Sequence, residues 1–479
     1  MAGISAACHL LERDCRVTLV EKRPFLGGRT FSFEHHPLGY DSAVPPESSG
    51  SLSEEANSGK AGPSFQVDNG QHVFLGCCTS YIDLLKKLGS HSQAYLQPQL
   101  HVEIRRTGES RDAPRTCALA SVPFLPAPFH ILPSFLRYSH LGIGDRLRVF
   151  YGLLCVRFTR RHHPSLEVQS FHKWLKAHGQ SEIAISRFWD IIILATLNDD
   201  SKNVSASIAL MVYQEGVLKG RNSANVGFSR VGLSELMGNP GRDLILAGGG
   251  SILSGRKVSD LIVEDTADGS EKMLAGVKLA DGETLRGDIY ISALPFGDLA
   301  TILPPDLADS PFFRGTRELA TAPIVNVHIW YDRQVMHTKG EPFVAFLDSP
   351  LQWVFDKSRM QGAEPTGPSG QYICVSISGA WDYMEMPKAD IRRAVLQEME
   401  AAFPQAAHAQ VRDALVIKSP ATFRCTPGSA SLRPSTTTPI GNLFLAGDWT
   451  DTGWPSTMEG AVRSGAAAAD AVSSAVPHG

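Results

Sequence analysis

The chain has 479 residues, of which 43% are hydrophobic and 20% charged, and a formal net charge of -4. This length exceeds one ordinary core and, at roughly 100 to 200 residues per domain, predicts two or three. The composition excludes a disordered or fibrous chain, and the small net charge without a long basic run gives no electrostatic ground for a nucleic-acid partner.

The opening MAGISAACHLLERDCRVTLVEKR predicts a helix, a turn and then a strand over Arg16 to Glu21, the second half of a βαβ unit. The apolar strand and glycine turn that begin a nucleotide-binding βαβ unit do not precede this helix in the sequence, so the expectation is either a start assigned too late or an incomplete gene or, for the chain as written, weak dinucleotide affinity or none. Residues 40–64, rich in Ser, Pro, Gly and Glu, predict a flexible surface insertion. The apolar stretch from Leu119 to Leu136 falls short of a spanning helix, being broken by Pro123, Pro126, Pro128 and Pro133. With Arg137, Arg146 and Arg148 it predicts either a lipid entrance resting on a membrane surface or ordinary substrate-domain core.

Helical patterns dominate about 125–220, and short β runs follow from Leu244: ILAGGGSIL, VSDLIVED, LAGVKLADGETL and DIYISALP. A mixed region over 301–414 contains the alternating strand 324–332 and the segment LQWVFD at 351–356. The chain closes on a strand, a glycine loop and a helix. The fold class is thus α/β, with a Rossmann-like domain over 1–90, 228–300 and 415–479 and an interleaved α+β substrate domain over 91–227 and 301–414.

Glu21 ends a strand 18 residues after Gly3, close to the spacing of the acid that holds a ribose hydroxyl, with Gly3 as the glycine that lets helix and sheet approach. Arg23, Pro24, Gly27, Gly28 and Arg29 then form a turn suited to a pyrophosphate. The whole string VEKRPFLGGR resembles the second FAD motif of the flavin amine oxidases and phytoene desaturases. At the other end, Gly447 and Asp448 end a strand in AGDWTDTGWPSTMEGAVRSG, and Gly460, Ala461 and Ser464 open a helix whose N-terminus suits a phosphate or the flavin carbonyls.

The strings DNGQHVFLGC (68–77), RVGLSEL (230–236), QWVFD (352–356) and LFLAGDWTDTGWPSTMEGAVRSG (443–465) resemble the squalene-associated FAD-dependent desaturases, the hydroxysqualene dehydroxylases of squalene and hopanoid synthesis. The resemblance implies FAD as cofactor, an apolar isoprenoid as substrate, and a cofactor-binding set of Gly3, Glu21, Lys22, Arg23, Gly27, Gly28, Arg29, Gly447, Asp448, Thr457, Met458, Glu459 and Ala461. It implies reductive chemistry, in which an acid protonates the leaving oxygen. His72 is the candidate acid, with Asp68 as its orienter, since imidazole titrates near neutral pH. The alternative, that Asp68, Asn69 and His72 only shape the loop, stays open. Trp449 and Trp454 are expected to wall the substrate pocket, where a π face would stabilise an allylic cation, with mere packing as the alternative for Trp454.

The triple glycine at 248–250 does not form GxGxxG, so no nicotinamide domain is expected and the electron donor or redox partner stays unidentified. The adjacent pairs His35, His36 and His162, His163 lack metal-ligand spacing, and no metal is expected. The eight cysteines form no CxxC pair and read as free thiols of a cytoplasmic protein, with peripheral contact at the inner face of the membrane. Two further readings are an amine oxidase, which needs an aromatic cage, and a flavin-free interaction protein.

Overall fold

The computed structural model describes residues 1–36, 64–107, 115–362 and 370–475; the expected insertion at 40–64 lies, but for Ser64, outside them. Alternation of apolar residues at helical spacing gives the helix Ala2–Leu11, which turns into the strand Thr18–Glu21. That strand pairs in parallel with Ser251–Ser254, and a second parallel pair joins Tyr290–Ser292 to Leu443–Leu445. The opening helix bridges both pairs. Its Ile4, Ala7 and Cys8 share a core with Leu19 and Ile252, while Ala2 and Leu10 pack with Ile291, Phe444 and Ala446.

The C-terminal helix Met458–Ala475 lies directly on the opening helix. Ser5 Oγ donates to the Val462 carbonyl at 2.9 Å, and Arg13 reaches the Ala469 carbonyl and Asp470. The approach is close enough that a Cβ on Gly465 would stand 2.3 Å from the Ala2 carbonyl oxygen and 2.7 Å from Ser5 Cβ. Both ends of the sequence thereby build one unit.

The other half is a seven-stranded sheet ordered Val411–Phe423, Thr321–Tyr331, Gln371–Ser378, Trp353–Asp356, Phe343–Leu347, His101–Arg106, Arg115–Ala120. The expected boundary at 415 therefore moves: Val411–Phe423 pairs along its whole length with Thr321–Tyr331 and belongs to this sheet. The β run expected from Leu244 also shifts, since Leu244–Ala247 completes the helix Asn239–Ala247, and strand begins only at Ser251 after the glycine turn.

Strand periodicity divides Thr321–Tyr331 into two faces. Val325, Val327 and Ile329 pack under the helix Lys388–Ala402 through Ile391, Val395 and Met399. Asn326, His328 and Trp330 face the other way, where Trp330 and Tyr372 meet Val67 and Phe65 of the hairpin Ser32–His35 with Phe65–Asp68. Helices between Leu132 and Leu218 cover the remaining core around Phe171, Trp189 and Tyr213, with Trp189 Nε1 donating to Gln180 Oε1 at 2.9 Å and Tyr213 Oη to the Trp189 carbonyl at 2.7 Å.

Because backbone and a short side chain face Gly465, neither can yield. Replacing it with alanine, Gly465→Ala, is expected to destabilise the fold by about 1–3 kcal/mol, the range of core overpacking. Thermal unfolding checks this, and an unchanged melting temperature would contradict the close helix contact.

Candidate active site

The amino end of the opening helix, Glu21 and Asp448 converge. The Glu21 and Asp448 carboxylates both lie close enough to Met1 to act on it electrostatically. Gly3 behaves as a close-packing glycine, since a Cβ there would lie 3.2 Å from Ala293 Cβ, just after the strand Tyr290–Ser292. This is the carboxyl edge of parallel strands, where open α/β sheets bind ligands.

Beyond Glu21 the chain makes the expected glycine turn. Gly27 and Gly28 take φ of +116° and +64°, and a Cβ on Gly28 would meet nothing within 4 Å, so open space borders the turn there. Glu21 Oε1 accepts from the Arg23 N–H at 3.0 Å, and Arg23 Nη1 donates to the Gly28 carbonyl at 3.0 Å. Its guanidinium rests over the Phe31 ring at 4.9 Å. Arg29 offers its carbonyl to Asn69 Nδ2 at 3.3 Å, which ties the turn to the loop after Asp68. Lys22 departs from the expectation: strand alternation turns it away from Glu21 to an exposed pair with Asp298 at 2.6 Å.

At the C-terminal motif the Gly447 N–H donates to Ser464 Oγ at 2.8 Å, and Asp448 accepts from Ser456 Oγ. Several side chains expected at the cofactor are committed to protein. Thr457 Oγ1 accepts from the Gly460 N–H at 3.1 Å as an N-cap, and Met458 and Ala461 pack into neighbouring cores. Glu459, fully buried, accepts from the N–H groups of Ser80 and Tyr81 at 3.2 and 2.7 Å and from Arg463 at 2.7 Å. A carboxylate there caps the helix Thr79–Lys87, whose first-turn N–H groups lack internal partners.

The expected tryptophan wall is also corrected. Trp449 is 1% exposed, its indole N–H donates to the Leu294 carbonyl at 3.0 Å, and its ring meets Phe296 edge-on. Trp454 is covered by the Arg463 guanidinium 4.7 Å from its ring centroid. A ring already faced by one cation offers little to a second.

Asp68 and His72 lie where the two halves meet, but Asp68 does not orient His72. Its Oδ1 accepts from Ser32 Oγ at 2.8 Å and the Leu233 N–H at 3.0 Å, and its Oδ2 accepts from Lys357 Nζ at 2.9 Å. The Asp68 and Lys357 side chains are 3% and 1% exposed. Burial alone would push the Asp68 carboxyl up; the Lys357 charge and these hydrogen bonds reverse that and hold it below the usual carboxylate range.

His72 is oriented by backbone. Its Nδ1 lies 2.9 Å from the Gly70 carbonyl, which accepts from it and leaves Nε2 as the nitrogen that can exchange a proton. Burial lowers its pKa, Lys357 lowers it further, and the Gly70 carbonyl and Asp68 oppose, so the ring is neutral at neutral pH rather than substantially protonated as expected. Gly70 takes φ +105°, and a Cβ there would stand 2.8 Å from Asn326 Nδ2. Asn326 Oδ1 also accepts from the Gln71 N–H at 3.2 Å, so the seven-stranded sheet supports the loop directly.

Lys357 and Asn326 were not legible as site residues, although a lysine directly after the apolar QWVFD is the signal for the first. Losing one partner of a buried pair strands a charge, whereas losing both need not. Lys357→Met is expected to lower unfolding free energy by about 3–5 kcal/mol, and the double variant Lys357→Met with Asp68→Asn to recover most of it, as read by urea denaturation. In the wild type the Asp68 contribution is present above the unfolded carboxyl pKa and is lost as pH falls through its depressed folded value.

The profile of the flavin containing amine oxidoreductase family matches residues 1–473. A 15-cis-phytoene desaturase of Synechococcus elongatus is 24% identical over 98% of this chain and 94% of its own length. A probable zeta-carotene desaturase of the same organism is 25% identical, over 98% and 96%. In structure the chain is similar to an oxidoreductase from Methanosarcina mazei, with a TM-score of 0.69 and 16% identity over 99% of this chain and 98% of that one. It is likewise similar to a redesigned putrescine oxidase, with a TM-score of 0.68 and 15% identity over 99% and 97%. The profile match, with the amine-oxidase-type fold and its glycine turn, makes this chain a member of the flavin-containing amine oxidoreductase family, a flavin-dependent oxidoreductase with FAD as its cofactor.

Proposed function

We propose that the chain removes the hydroxyl of a C30-type isoprenoid alcohol such as hydroxysqualene, yielding the hydrocarbon and water. The observation that carries this reading is the position of His72: an imidazole fixed through Nδ1, with no hydrogen bond at Nε2 among the described residues, leading into Val73 and Leu75, which pack against the apolar core of the helical half. Reduced FAD would supply the hydride. With C–H replacing the broken C–O bond, His72 Nε2 would give the departing oxygen the proton with which it leaves as water. A depressed pKa makes the imidazolium a stronger acid than an ordinary histidine. The resemblance carried by DNGQHV and GDWTDTG favours this substrate, and the burial of Trp449 and the cation over the Trp454 ring argue against an amine in a cage.

Product analysis by gas chromatography and mass spectrometry, with FAD, a reductant and hydroxysqualene, is expected to give squalene in a flavin-dependent way. Activity should climb toward acid pH with an apparent pKa below the ordinary histidine value, and His72→Gln should flatten that limb. The neutral imidazole and the desaturase relatives support a second reading, desaturation of an apolar isoprenoid with His72 taking the proton. The pH limb separates the two, because a base is active above its pKa and an acid below it.

A lipid-facing entrance belongs to the same proposal. On the helix Ile143–Phe158 the residues Ile143, Leu147, Phe150, Tyr151, Leu154 and Phe158 share one exposed face, with Ile143 and Phe158 74% and 79% exposed. Phe124, Phe129 and Leu136 of the preceding proline-broken segment are exposed as well, and so are Arg137, Arg148 and Arg157, a pattern that suits anionic lipid. No helix among the described residues is long and apolar enough to cross a membrane. Flotation with vesicles of phosphatidylglycerol and phosphatidylcholine is expected to carry the protein up, less so at high salt, and Leu147→Asp with Phe158→Asp to abolish it; retention by the double variant would remove this surface from the proposal.

A further inference from the structure

Arg433 belongs to neither the N-terminal nor the C-terminal cofactor motif and lies on the segment before the strand Leu443–Leu445. The residue is 9% exposed, and its guanidinium stacks 4.7 Å from the Phe423 ring centroid. Among the described residues, every hydrogen bond of this buried cation ends on a neutral oxygen of one loop. Nε donates to the Trp449 carbonyl at 3.3 Å, and Nη2 donates to the carbonyls of Asp448, at 3.3 Å, and Thr450, and to Thr452 Oγ1 at 3.5 Å. The next residue, Pro434, accepts from the Asp451 N–H at 2.9 Å. Each residue from Asp448 to Thr452 is therefore tied to Arg433 or Pro434.

Burying a guanidinium with no carboxylate in ion-pair contact among the described residues is unfavourable: burial lowers the Arg433 pKa, and Cys425 and the carboxylates of Asp451, Asp448 and Glu167 oppose that only in part. Carbonyl dipoles offset that penalty only when several point at the charge together, so cation and loop conformation stabilise each other. The planar fork of arginine spans oxygens from successive residues, which a lysine ammonium cannot reach at once. We propose that Arg433 is a positioning residue for the FAD site, which moulds the Asp448–Thr452 loop into its cofactor-binding shape without touching the cofactor. This rests on FAD as cofactor and on the reading that Asp448 borders it; it is independent of the substrate.

The test uses the full chain loaded with FAD. Wild type, Arg433→Lys, Arg433→Met and Phe423→Leu are compared by FAD dissociation constant from flavin fluorescence and by melting temperature with and without excess FAD. Both arginine variants are expected to bind FAD at least about tenfold more weakly, each tenfold corresponding to about 1.4 kcal/mol. The FAD-dependent rise in melting temperature should shrink accordingly, while the FAD-free value moves little. Phe423→Leu, which leaves the donors in place, should fall between and stands in if Arg433→Met does not fold.

An Arg433→Lys chain with wild-type FAD affinity would overturn the proposal. So would a fall in FAD-free melting temperature with affinity intact, which is the signature of packing alone. No substrate enters either measurement, so a failed dehydroxylase assay has no bearing on the role of Arg433.

Discussion

The buried pair of Asp68 and Lys357 pins the cofactor-side hairpin to the seven-stranded sheet, at the edge of an apolar core that runs through both halves. Asp68 ends a strand of the hairpin on the cofactor side, and Lys357 opens the short helix Lys357–Met360 after a strand of the seven-stranded sheet. Neither charge is stable at that depth alone, so the halves must come together in one register for either to be folded in. The register it enforces is the one that brings Gly70 against Asn326 and leaves His72 at the seam.

The loop from Asn69 to His72 consequently has little freedom. Asn69 is held by the Arg29 carbonyl, Gly70 by contact with Asn326, Gln71 by its N–H to Asn326 and His72 by the Gly70 carbonyl. A histidine held by backbone rather than by a carboxylate lacks the partner that would keep it charged, and burial takes effect without opposition strong enough to cancel it. Its protonation state is therefore set mainly by how dry the seam is.

Legibility followed the range of the interactions. The opening helix, the strand to Glu21, the turn at Gly27 and Gly28 and the closing strand and helix depend on periodicity and on backbone conformations particular residue types favour, and these were readable directly. Lys357 was not, because its meaning lies in a carboxylate 289 residues away. Glu459 and Trp449 sit inside a motif that resemblance ties to the cofactor, yet the first caps a helix and the second packs as core. A motif match records that a residue type recurs at a position, and capping or packing makes a residue recur as strictly as ligand contact does. The strand Val411–Phe423 was cut at 415 for a related reason: its partner Thr321–Tyr331 lies far upstream, and no local signal marks which sheet a strand will join.

Arg433 and Glu459 show one physical device used twice around the same motif. Each is a buried charge held largely by backbone dipoles, carbonyls for the guanidinium beside Thr452 Oγ1 and N–H groups for the carboxylate beside Arg463. Such partners cannot move away without unfolding their own loop or helix, whereas an opposing side chain can change rotamer. The result is that the two segments leading out of the strand Leu443–Leu445, the loop to Thr452 and the turn into the helix Met458–Ala475, are each anchored from behind. A loop anchored through its carbonyls is shaped before any ligand arrives, and a preformed loop binds without the conformational entropy that a mobile one would lose.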